Sequence, residues 1–224
     1  TYTNNWMNLP AGPARTETVM RDFTKAYYAV LSRLDSQIGT MVQQMKDEGL
    51  WDNTILLFLS DNGYHLGSHG LGNKITMHEE SVRVPMFAVG PGVVAGQRSS
   101  ALVSTLDLYP TLLELARAGS LPGHAAGQSL LPVFGDPNAR IRDTVFTECV
   151  GVGGGSGEGH RMARSSTHKY VLTGTNEEYL FDLQADPNEL VNLINDPGST
   201  AVRDQLRDDM EAWMLEIGDR TFPY

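Results

Sequence analysis

Two apolar runs flanking a glycine-rich polar segment constrain this chain more than any other feature. The first, Thr54-Ile55-Leu56-Leu57-Phe58-Leu59, is too short for an ordinary helix and bulky enough for a buried strand. It runs straight into Ser60-Asp61-Asn62-Gly63, and Gly and polar residues dominate up to Lys74. The second run, Val84-Pro85-Met86-Phe87-Ala88-Val89, stops at Gly90-Pro91-Gly92. In open α/β sheets, ligands bind at the carboxyl ends of the strands. A carboxylate, an amide, two histidines and a lysine just past a strand end therefore make residues 54–92 the place to look for chemistry.

The rest of the chain reads as what holds that loop. Residues 1–15 carry two prolines, a glycine and three asparagines and form an irregular lead-in. A long amphipathic helix is predicted over 17–48, with Val19, Met20, Phe23, Tyr27, Val30, Leu31, Leu34, Ile38, Met41, Val42 and Met45 at helical spacing. Thr16 suits its N-cap and Gly49 its C′ stop. Such a stripe belongs to a helix that covers a sheet, with a partner-binding face as the alternative. Helix followed by buried strand is half of a βαβ unit, and no preceding strand is found within these 224 residues.

After the central loop, a helix is predicted over 111–118, with Pro110 at its first turn and Gly119 closing it. A Gly/Pro-punctuated loop follows over 120–140, then a strand over 143–149. Residues 151–159 hold six glycines in nine positions. They lack the GK[ST] of a phosphate-cradling loop and read as a flexible surface loop. Three short strands are expected at 160–165, 168–173 and 178–183, then a helix over 200–216 with Val202, Leu206, Met210, Trp213 and Met214 on one face. The expected fold class is α/β: part of a mixed sheet flanked by helices over 1–145, plus a small antiparallel sheet with a packed helix over 146–224.

Composition narrows the function classes. The net charge of −10, with no Lys/Arg cluster, excludes a nucleic-acid footprint. No apolar run approaches the roughly 20 residues of a membrane span. The single cysteine, Cys149, excludes an intrachain disulfide. A start at Thr-Tyr-Thr-Asn-Asn-Trp, with neither Met nor a signal peptide, is consistent with a piece of a longer protein.

Asp61-Asn62-Gly63 has two readings on residue type alone. Asx residues and glycine suit a plain turn. Adjacent carboxylate and amide oxygens are also ligands for a hard cation, Ca²⁺ or Mg²⁺. Ca²⁺ takes about 6–8 oxygens, so other segments would have to complete the shell. Lys74 would then set an ammonium beside an anion held by that cation.

A resemblance bears on the choice. Ser60-Asp61-Asn62-Gly63-Tyr64-His65-Leu66-Gly67, then His69-Gly70, Lys74, Glu79-Glu80, Arg83-Val84-Pro85 and Gly90-Pro91-Gly92, resembles the C-terminal catalytic motif of type I sulfatases, in the alkaline-phosphatase-like superfamily. Tyr27-Tyr28-Ala29-Val30, Leu34-Asp35-Ser36-Gln37-Ile38-Gly39 and Trp51-Asp52-Asn53-Thr54 resemble the segments before it. Asp107-Leu108-Tyr109-Pro110-Thr111, His168-Lys169-Tyr170, Leu180-Phe181-Asp182-Leu183 and Asp186-Pro187-Asn188-Glu189-Leu190 resemble the segments after it. Nearly the whole chain is covered in the family's order. Many relatives have His where Asn62 stands, and the SDNGYH form is closer to glucosamine-6-sulfatase-like members.

The resemblance implies that Asp61 and Asn62 ligate an active-site Ca²⁺ (or Mg²⁺) and that Lys74 binds a sulfate oxygen. His65, as a catalytic candidate, and His69 share the loop and either face the substrate or are ordinary loop histidines. His160 and Arg161, just after the Gly-rich loop, are candidate substrate contacts. Glu79 and Arg83 read as paired scaffold charges. The family's nucleophile is a formylglycine made within C/S-x-P-x-R, and these 224 residues contain no such motif; Cys149 is followed by Val150-Gly151-Val152.

The expected protein is thus the C-terminal portion of a sulfate-ester hydrolase of sulfated carbohydrates, inactive alone, from a periplasmic, secreted or lysosomal parent. Its expected partner is the missing N-terminal half, with self-association of the isolated piece as a consequence. Three further readings stay open: a phosphate or phosphonate ester hydrolase of the same superfamily, a non-catalytic binding module derived from it, and an N-terminal half that is a separate chain docking here.

Overall fold

The computed structural model describes residues 16–72, 74–119, 126–149 and 159–219. The lead-in expected at 1–15 lies outside the described residues, as do all but the last position of the Gly-rich loop and residues 120–125 of the loop before it. The chain divides into two compact units, Thr1–Lys74 with Glu79–Val93, and Ile75–His78 with Val94–Tyr224. The division drawn at 145/146 from sequence texture lies inside the second unit, within a strand.

In the first unit the predicted helix forms as α1, Glu17–Asp47. The Thr16 side chain accepts from Val19 N at 3.3 Å, satisfying a donor at the helix start. Glu17 in the first turn and Lys46 in the last suit the helix dipole. Leaving the helix, the chain passes through Gly49 at φ 70°. Strand β1, Leu56–Leu59, precedes the polar loop; α2, Glu79–Val82, and β2, Met86–Val89, follow it. The two strands pair antiparallel, Leu56 opposite Val89 and Leu59 opposite Met86. Phe58 and Phe87 stack across the ladder at 4.9 Å, the kind of cross-strand pair that fixes register.

The apolar stripe of α1 is only partly used. Val19, Met20, Phe23, Tyr27, Ile38, Val42 and Met45 are half-buried, whereas Val30, Leu31, Leu34 and Met41 are exposed. The strand expected to be buried is likewise half-buried, and Phe87 and Val89 of its partner are exposed. The physical reason is coverage: a two-stranded ribbon offers one narrow face, too little to bury a 31-residue helix.

The second unit contains the strap Ile75–His78, a short 3₁₀ turn at Thr105–Asp107, α3 at Leu108–Ala116 and α4 at Leu131–Gly135. Helix α4 corrects the reading of 120–140 as loop throughout: Pro132 near its start is compatible with a first turn. Asp107 organises this region. It is fully buried, takes both terminal nitrogens of Arg142 at 2.6 Å, and accepts from Ser104 N at 2.7 Å and Gln128 N at 2.9 Å. A buried carboxylate so completely satisfied is a scaffold element.

Strands β3 (Val145–Cys149), β4 (His160–Arg164), β5 (His168–Leu172) and β6 (Glu178–Asp182) form an antiparallel meander in that order. The strand expected at 143–149 is therefore the edge of the same sheet as the three that follow. Helix α5, Thr200–Ile217, lies across one face. Ala163, Tyr170 and Leu180 from the sheet meet Leu206, Met210 and Met214, three helix positions at i, i+4 and i+8. Phe146 stacks on Trp213 at 5.1 Å. Among the described residues no helix is long and apolar enough to cross a membrane.

Met210 is wholly buried at the centre of this core. Its replacement by alanine is expected to lower stability by about 2–5 kcal/mol, read as a shift of the urea midpoint followed by Trp213 fluorescence.

Candidate active site

The site is built at the end of β1. Ser60 Oγ donates to Asn62 O at 2.8 Å, and Asn62 N donates to Asp61 Oδ1 at 2.9 Å. Asn62 Nδ2 donates to Gly63 O at 2.8 Å, which fixes the amide and leaves Oδ1 as an acceptor. Lys74 Nζ donates to that oxygen at 2.6 Å. The structure thus joins three of the residues singled out from the sequence, Asp61, Asn62 and Lys74, although twelve positions separate the last two.

Backbone contacts close the loop. Gly63 N donates to Ser81 O at 2.8 Å, and Ser81, buried in α2, donates its hydroxyl to Lys74 O. A Cβ at Gly63 would lie 1.9 Å from Glu80 O, so only glycine permits this approach. On the other side, α1 covers the loop: Tyr64 stacks with Phe23 at 6.1 Å and Tyr27 at 5.9 Å. A Cβ at Gly67 would meet Met20 Cε at 2.6 Å. Leu66, Gly67, His69 and Gly70 all have positive φ. Two such residues with side chains in one short loop are backbone strain, which concentrates at functional sites.

His65 is 1% exposed and His69 sits with its ring edge-on, 5.9 Å away. His69 Nε2 lies 3.5 Å from Glu80 Oε1. Burial lowers the His65 pKa to about 4; Glu80 works against that shift and His69 adds to it. The ring is therefore neutral at physiological pH and enclosed rather than presented to a substrate. Burial disfavours the Glu80 carboxylate, but a backbone hydrogen bond, His69 and the Ser68 hydroxyl together hold its pKa below the ordinary value. Arg83 lies 3.8 Å from Glu79, the expected scaffold pair.

His160 and Arg161 belong to the second unit, at the start of β4. Arg161 is 1% exposed, and its guanidinium is bonded to Asp219 and lies 3.7 Å from Glu148. Its side chain is enclosed beside these carboxylates, where the sequence reading has it as a candidate substrate contact. His160 pairs in register with Cys149, whose thiol is free.

Asp61 and Asn62 offer hard oxygen donors of the right kind for Ca²⁺ or Mg²⁺, and Asp61 is exposed. Among the described residues no group of three or more His, Cys, Asp or Glu could hold a metal. The Lys74 ammonium rests on the Asn62 amide oxygen, so a bound cation would share that oxygen with Lys74 or displace it. The donor set fits a share of a cation's shell.

The fold is the alkaline-phosphatase-like one, on which solved sulfatases superpose. The Sulfatase family model matches residues 3–118, and that for the C-terminal region of N-sulphoglucosamine sulphohydrolase matches 67–216. The chain belongs to the sulfatase family. It is 33% identical over 190 residues to Arylsulfatase K of Xenopus laevis, covering 80% of this chain and 35% of the relative. A protein solved in complex with its substrate D-glucosamine-2-N,6-O-disulfate superposes with a TM-score of 0.85 at 26% identity, over 95% of this chain and 44% of that one. The phosphonate monoester hydrolase of Agrobacterium radiobacter superposes at 0.78 and 26% identity, over 94% and 44%. The chain spans about a third of the length of the curated relatives it matches.

The His65 pKa sets a sign for pH dependence. The unfolded imidazole binds a proton near 6.5, whereas the folded one resists until about 4. Stability is therefore full above pH 6.5 and falls as pH drops towards 4, by roughly 3 kcal/mol in all. Urea unfolding across pH 4–7 should trace that slope, and His65→Gln should flatten it.

Proposed function

We propose that this chain forms the metal- and sulfate-binding wall of a sulfate-ester hydrolase whose nucleophile comes from outside residues 1–224. The observation that carries the reading is the Lys74 ammonium 2.6 Å from the Asn62 amide oxygen, beside Asp61 at the end of β1. Asp61 and Asn62 would hold Ca²⁺, with Mg²⁺ as the alternative. The cation would supply neutralisation of charge on the sulfuryl oxygens. Lys74 binds one of those oxygens and offsets the charge that grows as the ester bond breaks, the logic of fixed electrostatic stabilisation. Tyr64, Gly63 and Ser81 hold the loop so that this charge is in place before substrate arrives.

Formylglycine, the family's nucleophile, requires a motif these 224 residues do not contain, so the isolated chain is inactive. Exposed apolar residues on α1 and β2 support a role alongside the remainder of a larger sheet, on the same polypeptide or a second chain. A sulfated amino sugar is the favoured substrate class, supported by the similar protein solved with a disulfated glucosamine. The likeness to a phosphonate monoester hydrolase keeps that ester class as the second reading.

The test compares 4-nitrophenyl sulfate and a phenylphosphonate ester as substrates of the nucleophile-bearing protein. Sulfate turnover should dominate, Lys74→Ala should lower kcat/KM by about 10²–10³, and the 224-residue chain should give none. Preferred phosphonate turnover would move the protein to the second class.

A further inference from the structure

The loop between Asn62 and Lys74 contains a closed turn of its own. Ser68 N donates to His65 O, Gly67 N to Leu71 O and Leu71 N to Ser68 O, each at 2.9 Å, so the backbone from His65 to Leu71 is folded on itself. The turn begins three residues after Asn62 and ends three residues before Lys74. Leu66 at φ 50° and His69 at φ 56° adopt a backbone conformation uncommon for residues with a Cβ. Strain of this kind persists only where the surroundings over-determine it.

Glu80 supplies a hold on that turn from outside it. The Ser68 hydroxyl donates to the Glu80 carboxylate, and His69 Nε2 lies 3.5 Å from Glu80 Oε1. One carboxylate thus meets two consecutive residues of the turn, one of them at a strained position. Glu80 sits on α2 beside Ser81, whose carbonyl accepts from Gly63 N at 2.8 Å and whose hydroxyl donates to Lys74 O. Two neighbouring residues of one short helix therefore hold the loop at its start, its middle and its end. All of these residues belong to the first unit.

We propose that Glu80 is a positioning residue for the reaction: its carboxylate, through Ser68 and His69, fixes the turn that sets Lys74 relative to Asn62. It acts through the loop and not on the substrate. Ser81 fixes the backbone at the two ends, but its bonds leave the residues between them without support. Released from Glu80, the turn would relax towards ordinary φ values at Leu66 and His69, and each rotation is carried along the chain to Lys74. A side chain that must meet a sulfuryl oxygen tolerates little misplacement, since about 1 Å can cost 100-fold in rate. This inference rests on Lys74 being the sulfate contact.

A double-mutant cycle in the nucleophile-bearing protein, with 4-nitrophenyl sulfate as probe, separates the two claims. Glu80→Ala is expected to lower kcat/KM by about 10–100-fold in the wild-type background. In the Lys74→Ala background it should change kcat/KM little, because the effect passes through Lys74. Glu80→Gln, which keeps an oxygen for the Ser68 hydroxyl, should recover part of the loss. Ser68→Ala removes the same bond from the exposed side of the loop and should act in the same direction; it carries the test if Glu80→Ala does not fold. If Lys74→Ala alone leaves kcat/KM unchanged, the reading of Lys74 fails and the positioning role with it. If Lys74→Ala is damaging but Glu80→Ala and Ser68→Ala are silent, or multiply with it, the positioning role alone is overturned.

Discussion

The backbone approach of Gly63 to Glu80 and Ser81 is the constraint on which the site depends. One hydrogen bond, Gly63 N to Ser81 O, brings the start of the loop against α2 across eighteen residues of chain. Ser81 then binds Lys74 O, so the segment carrying the ammonium is fixed by the same residue that fixes the segment carrying the amide. No side chain makes the first contact, and none fits there. The Lys74–Asn62 bond follows from that closure. The ammonium is thereby ordered on a neutral oxygen, which is the preorganisation that the proposed role of Lys74 requires.

Three other charged pairs are enclosed in the second unit: Asp107 with Arg142, Arg161 with Asp219, and Lys169 with Glu189. Replacing such pairs with apolar residues of like volume is often neutral or stabilising, so stability alone is a weak account of them. What they supply is direction. Asp107 gathers the turn before α3, the Gln128 backbone and Arg142 into one arrangement that an apolar contact would not specify. Arg161 joins β4 to the end of α5 in the same way. Buried charges that each address a particular distant segment suit a protein in which loops, not sheet faces, carry the chemistry.

The sequence made the elements legible where a single period governs them. The α1 stripe, its Thr16 cap and the Leu206–Met210–Met214 face of α5 all follow from helical spacing. Asp61, Asn62 and Lys74 stood out because they follow a strand end and match a family pattern, and the structure joins Lys74 to Asn62. Burial was not legible, since it depends on what else is present to cover a face. Val30 and Leu34 have the pattern of core residues and are exposed. Arg161 has the composition of a ligand and is enclosed. The Lys169–Glu189 pair left a faint signal, a lysine inside the apolar strand His-Lys-Tyr-Val-Leu, but nothing local connects it to a carboxylate twenty residues on or a carbonyl ninety-two residues back.

The division of labour within residues 54–92 follows from what each group can do unaided. Asp61 and Asn62 are too few to enclose a hard cation, and their oxygens are acceptors with no proton to give. Lys74 is a donor that lends charge but forms no bond to sulfur. His65 is neutral, and burial keeps it so. None of these is an activated nucleophile, which needs a neighbouring base, a lowered pKa or a metal to make it reactive. In the proposed reading the arrangement would hold and polarise an ester oxygen without attacking the sulfur beyond it. Among these residues the proposed role is therefore anion recognition alone, and bond-making falls to a group supplied from elsewhere.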